Sequence, residues 1–309
     1  RGRCILRAIT GNLDVKGGDI LGLSGGVAKV VPDVELEFNE SISPEQRKKQ
    51  LGGGRYRLFS YPGWELIFNA VNKLPKTYVR PPNAMMTCVA HPRDVWEAIL
   101  TGKPYPVKAM VVLASNPLLT LANSRLVYRA LKNLDLLVVM DYYMTPTAQL
   151  SDYVLPAACT LERSDLAFPK WGNGVFACPK ALEPLYERRN DYDFWRELGI
   201  RLGQQEYWPW KTIEEVCEYR LKPLGITFQD LMERHIISNP TQYKKYEKYG
   251  FGTHSGKVEI YSSVFEKLGY DPLPIYREPL ESPVSNPKLA EEYPLILNTG
   301  GRFMPMYHT

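Results

Sequence analysis

Two short stretches of this sequence place small polar and acidic groups where a nucleotide could be held. Ser115-Asn116-Pro117 follows the apolar run Val107 to Ala114, and Asp141 closes a second apolar run, Asp135 to Met140. Valine-bearing runs of this length read as buried strands, and Asn-Pro breaks the first of them. Small side chains and exposed backbone N–H groups in such a turn can meet a phosphate. An acid at the end of the next strand, about 25 residues on, is placed like the ribose-binding acid of dinucleotide folds. The same residues have a plainer reading, because Asn-Pro makes ordinary turns and a strand-end Asp often caps a helix. Residue type and spacing leave both open.

The elements around these residues are legible. Between the two strands, Thr120 to Asn133 carries Leu121, Leu126, Ala130 and Leu131 at roughly helical spacing, with basic residues between them. Strand, helix and strand of these lengths make a βαβ unit whose parallel strands are buried on both faces. Its crossover is right-handed, so the two strand C-termini face one crevice, where open α/β sheets bind ligands. The expected fold class is α/β: a mainly parallel sheet of dinucleotide-binding type flanked by helices, with an irregular region and the start of a β-rich domain.

Four segments follow from the pattern of breakers and periodic runs. Residues 1–60 form a loop-rich entry segment; their glycines, Gly17-Gly18, Gly22, Gly25-Gly26 and Gly52-Gly53-Gly54, fit neither G-x-G-x-x-G nor a P-loop and read as turns. Residues 61–235 are the α/β domain. In it Trp64 to Asn72 reads as a short helix, and Asp94 as the N-cap of a helix ending before Gly102. A short strand at Asp152 to Leu155 and an aromatic loop at Phe168 to Phe176 come next. Helices follow at Tyr192 to Leu202, Thr212 to Leu221 and Phe228 to His235. Residues 236–293, rich in Pro, Tyr and Lys, read as an irregular connector, and 294–309 open with a strand, Pro294 to Thr299. Arg3 to Thr10 resembles the last turns of a helix, and the final strand has no partner downstream, so the expectation is the middle of a longer chain.

Composition narrows the function classes. Hydrophobic residues make up 44% and charged residues 23%, ordinary values for a globular protein. The net charge of +4 comes with no dominant Lys/Arg cluster, which argues against a nucleic-acid partner. The longest apolar runs are far too short to span a bilayer. Five cysteines, at 4, 88, 159, 178 and 217, form no C-x-x-C pair, and four histidines, at 91, 235, 254 and 308, show no metal-ligand spacing. Neither a zinc nor an iron–sulfur site is expected within this chain.

Gly102 to Ala109, Ala114-Ser115-Asn116-Pro117, Val139-Met140-Asp141, Thr145-Pro146-Thr147-Ala148, Ser151 to Pro156 and Glu162 form an ordered set of segments. In order and spacing the set resembles the dimethyl sulfoxide reductase family of molybdenum and tungsten enzymes. Thr10 to Gly18 upstream, and Ser255 to Ser262, Pro272-Leu273-Pro274 and Leu295 to Thr309 downstream, are similar to further family segments. The resemblance implies a bis-(molybdopterin guanine dinucleotide) cofactor in the parent enzyme, with a 4Fe-4S cluster in a part N-terminal to this chain. It implies transfer of oxygen atoms or electrons/hydride, an iron–sulfur electron-transfer subunit as partner, and a membrane anchor subunit in some complexes. It leaves open a hydratase or transhydroxylase of the same family, and a cofactor-less structural subunit of a respiratory complex. It does not indicate a compartment.

Carried over residue by residue, the resemblance puts Ser115 and Asn116 at the phosphate or ribose and Met140 with Asp141 at the guanosine. Arg163, where the family often has Lys, would supply positive charge. Asp193 matches an acid preceding a helix, where an N-cap role is the alternative. Thr299, Gly300, Arg302 and His308 fall where the family's last domain meets a pterin. Phe168 to Phe176 departs from the family's usual Asn-x-Glu-Gly-Arg stretch. No residue of this chain is assigned a catalytic role.

Overall fold

The computed structural model describes residues 2–21, 42–75, 88–167, 174–238 and 241–297. Its entry segment carries α1 (Gly2–Ile9) and α2 (Pro44–Lys48), then α3 (Tyr61–Val71), whose N-terminus is capped by the Ser60 hydroxyl. Helix α4 (Pro92–Thr101) ends at Gly102, which adopts φ 69° and provides the left-handed turn that stops the helix. Its start corrects the sequence reading. His91 is the N-cap and Asp94 lies one turn inside, because Pro92 occupies the first helical position and restricts the residue before it to extended backbone.

The α/β unit is built on strands β1 (Ala109–Leu113), β2 (Leu136–Asp141) and β3 (Tyr153–Pro156), all parallel and in that order. The crossover between β1 and β2 is two helices where one was expected: α5 (Pro117–Thr120) and α6 (Ser124–Lys132). Leu121 is extended, and Asn123 takes a left-handed conformation (φ 61°) from which its side chain caps α6. Asn is among the few residues that tolerate both demands. Trp96 and Ile99 of α4 and Val127, Ala130 and Leu131 of α6 pack with Val112, Leu137 and Val139 of the sheet into one core. Each fully buried Val or Leu there contributes about 1.5–3 kcal/mol.

A second, antiparallel sheet joins β4 (Asp165–Ala167), β5 (Gly174–Cys178) and β6 (Ile237–Ser238). Gly174 to Phe176, read as part of an aromatic loop, is therefore strand; Phe168 to Asn173 lie outside the described residues. Helices α7 (Asp191–Arg201), α8 (Ile213–Leu221) and α9 (Phe228–Arg234) follow the sequence reading within a residue or two. Leu166, Val175, Cys217, Leu221 and Leu231 form the core under this sheet. In α7, Gly199 is required by close approach, since a Cβ there would sit 2.1 Å from Trp208 Nε1.

Beyond residue 241 the connector holds only short helices, α10 (Lys245–Tyr249), α11 (Ser263–Lys267) and α12 (Pro287–Glu292). It is tied back to the entry segment by Asp14, fully buried at φ 57°, which accepts from Leu21 N (3.0 Å), Lys245 N (2.7 Å) and Lys245 Nζ (2.6 Å). Residues 294–297 form no strand, in contrast to the sequence reading; Leu295, Ile296 and Leu297 are exposed and pair with nothing among the described residues. A short apolar run alone does not make a strand without a neighbour to receive its hydrogen bonds.

Candidate functional site

Parallel pairing of Leu113 with Met140 and of Asp141 with Pro156 aligns the C-terminal ends of β1, β2 and β3 along one edge. Just past β1, Ala114 holds a left-handed φ of 45° while its N–H donates to Met140 O (3.3 Å). A non-glycine residue in this region costs free energy, and such residues concentrate at binding and catalytic sites. The bend leaves Ser115 exposed. The backbone N–H groups of Ser115 and Asn116 donate to no partner among the described residues, as an anion-binding turn requires.

Asn116 itself is 4% exposed. Its Oδ1 accepts from the hydroxyl of the fully buried Thr147 (2.7 Å), which in turn accepts from Leu118 N (3.2 Å). Its carbonyl accepts from the N–H groups of Leu119 and Thr120. The side-chain oxygen of Asn116 thus builds the turn, and what the turn offers a ligand is backbone N–H. Thr147 was visible in the sequence only as part of the family-like segment, because its partner lies 31 residues away.

Asp141 is half-buried, and its two oxygens have different surroundings. Oδ1 accepts from the N–H groups of Tyr142 (2.6 Å) and Tyr143 (3.3 Å), which closes the turn after β2. Oδ2 has no hydrogen-bond partner among the described residues. Oδ1 thus closes a turn rather than capping a helix, while Oδ2 is left open on the edge among the described residues. Met140 is 2% exposed and belongs to the core behind the edge.

The chain after β3 brings a set of paired arginines and carboxylates towards the same edge, Arg163 with Asp191, Arg188 with Glu162 and Arg189 with Glu197. Ala157 N donates to Asp141 O (3.3 Å), Ala158 N to Arg189 O (2.7 Å), and Arg189 N to Pro156 O (3.1 Å). These bonds bring the start of α7 to the sheet, and Tyr192 Oη and Arg196 Nε fasten the helix to Trp210 O. The N-cap of α7 is Asn190, whose side chain accepts from Tyr192 N, so Asp193 sits inside the first turn, which corrects the capping alternative. The competition went to the residue with extended backbone just before the helix. Burial pushes the Asp193 carboxyl above its usual range, against the opposing backbone hydrogen bond from Asn190. Arg163 Nη1 donates to Asp191 Oδ2 (2.8 Å), while its Nε is buried without a partner among the described residues.

Glu162 is buried, and its carboxylate accepts from three N–H groups. Its Oε2 accepts from Cys159 N (2.9 Å), and its Oε1 from Leu185 N (3.2 Å) and Arg188 Nη1 (2.7 Å). Led by the Cys159 N–H, these donors lower its pKa to about 2 against the opposing effect of burial. A carboxylate depressed in the folded state stabilises the protein above its unfolded value, near 4.5, and loses that contribution as pH falls through that value towards 2. Glu162→Gln should therefore be less stable than the wild type at neutral pH, with the gap closing below pH 4.5. Thermal melts over that pH range would check this; a gap independent of pH would contradict it.

Thr299, Gly300, Arg302 and His308 lie outside the described residues.

Comparison with known proteins places this edge in context. Residues 69–201 match the molybdopterin oxidoreductase family. The whole chain is 41% identical to acetylene hydratase of Syntrophotalea acetylenica, of which it covers 42%. The chain belongs to the dimethyl sulfoxide reductase family of molybdopterin oxidoreductases. The structure of acetylene hydratase from Pelobacter acetylenicus matches 97% of the chain with a TM-score of 0.87 and 40% identity, the chain covering 41% of it. The dimethyl sulfoxide/trimethylamine N-oxide reductase of Rhodobacter capsulatus is 30% identical over 59% of this chain, which is 25% of that reductase. The chain spans less than half the length of these relatives. Family membership implies a molybdenum or tungsten pterin cofactor, and the matched residues contain the whole βαβ edge.

Proposed function

We propose that this chain holds the guanosine end of a molybdopterin guanine dinucleotide in a molybdenum or tungsten enzyme. The observation that carries the reading is that, among the described residues, Asp141 Oδ2 and the N–H groups of Ser115 and Asn116 have no partner, at one edge of the parallel sheet. The residues fit the group by charge and by donor type. A carboxylate oxygen accepts from the N–H groups of guanine or a ribose hydroxyl, and backbone N–H groups receive phosphate oxygens. Arg163, held by Asp191 through Nη1 and with a buried Nε that has no partner among the described residues, would offer a donor and positive charge to a pyrophosphate oxygen. Asn116 sets the turn, and Met140 backs it from the core. Asp193, Thr299, Gly300, Arg302 and His308 complete the proposed contact set through the resemblance alone.

When bound, the metal–pterin group supplies the reactive metal centre; this chain supplies position and electrostatics. A 4Fe-4S cluster in the full-length protein belongs to the same proposal, whereas an electron-transfer subunit and a membrane anchor belong only to a redox reaction. For the reaction, the chain is 41% identical over its whole length to a hydratase. This favours hydration, which moves no net electrons, over the oxygen-atom or hydride transfer typical of the family. Purified full-length enzyme given acetylene and water, with no electron acceptor, is expected to form acetaldehyde. Reduction of dimethyl sulfoxide by a reduced dye, with no hydration, would instead restore the redox reading.

A further inference from the structure

The buried Glu162 has a second consequence for the edge described above. It stands immediately before Arg163, and its carboxylate collects donors from two stretches of chain: Cys159 N from the turn after β3, and Leu185 N with Arg188 Nη1 from the loop leading to α7. That loop continues directly into Arg189, whose backbone is paired with Pro156 and Ala158, and then into Asn190, the cap of α7. The first residue of α7, Asp191, holds Arg163 Nη1. The chain of contacts therefore begins and ends next door: Glu162 fixes the loop, the loop fixes Asp191, and Asp191 fixes the guanidinium of Arg163.

We propose that Glu162 is a positioning residue for nucleotide retention, acting through Arg163 by locking the 185–191 loop against the turn after β3. This rests on the nucleotide-binding reading above and deepens it. A carboxylate is needed because three donors converge on its two oxygens. Glutamine would turn an NH2 group towards either the Cys159 N–H or the Leu185 and Arg188 donors, and one side of the lock would open.

The test uses full-length enzyme loaded with cofactor and follows release of guanine nucleotide at a temperature below the onset of unfolding of every variant. Glu162→Gln is expected to release nucleotide about tenfold faster than wild type, as loss of one charge-assisted contact would do. Leu221→Ala, which opens a cavity in the second core, serves as a destabilised control and should release at the wild-type rate. The Glu162→Gln/Arg163→Ala double variant should release no faster than Arg163→Ala alone, because the two substitutions remove the same contact. Should Glu162→Gln fail to fold, Arg188→Gln opens the same lock from its exposed side and carries the same expectations. Wild-type release from Glu162→Gln, release matched by the Leu221→Ala control, or additive effects in the double variant would each overturn the positioning role. If Arg163→Ala and Asp141→Ala both keep wild-type release, the nucleotide-binding reading has failed and the positioning role falls with it.

Discussion

Asp141→Asn in the full-length enzyme is expected to lose guanine nucleotide while keeping nearly the wild-type melting temperature. The two oxygens of this carboxylate explain why. Oδ1 is committed to the Tyr142 and Tyr143 N–H groups, and the amide oxygen of asparagine can keep those bonds. The amide nitrogen would then stand where Oδ2 stands and would donate where the ligand also donates. A charge-assisted hydrogen bond contributes ~1.5–3 kcal/mol, so affinity should fall by roughly ten- to a hundredfold. Asp141→Ala removes the turn contacts as well and should lower both nucleotide content and stability. If Asp141 served only the turn, asparagine would be silent in both measurements. Guanine released per protein on denaturation, measured beside a thermal melt, separates these outcomes.

The largest effect on stability is expected at Asp14. It is fully buried, and the Lys245 side chain it pairs with is 11% exposed. Removing one partner of a buried pair leaves the other charge uncompensated, which typically costs about 3–5 kcal/mol. Asp14→Ala also orphans the Leu21 and Lys245 backbone N–H groups and places a Cβ residue without a polar side chain at φ 57°. A loss of this size is a large share of the stability of an ordinary domain. Asp14→Asn keeps an acceptor and tolerates the left-handed backbone, so its cost should be smaller. In a double-mutant cycle with Lys245→Met, the combined loss should fall short of the sum of the single losses. Strict additivity in denaturant unfolding would show that the two side chains do not act as a pair.

The sequence made some of this legible and hid the rest for physical reasons. β1, β2 and the loops after them were readable because each is a local signal: an apolar run, then Asn-Pro or a terminal acid. The resemblance added Arg163 and Asp193, which no local pattern singles out. The break at Leu121 to Asn123 was missed because the apolar spacing runs on across it. The second sheet was hidden because β4 has three residues and β6 two, too few to show alternation. Glu162 sits three residues after Cys159, the spacing of a capping box, but cysteine is not a residue that marks an N-cap. Asp14 and Lys245 meet across 231 residues, a separation at which no periodicity operates.

The most direct test of the central claim is an experimental structure of the full-length enzyme with its cofactor bound. The account predicts a guanine N–H or ribose hydroxyl within about 3 Å of Asp141 Oδ2, and phosphate oxygens against the Ser115 and Asn116 N–H groups. A dinucleotide seated elsewhere, with Asp141 facing only water and its own turn, would contradict it.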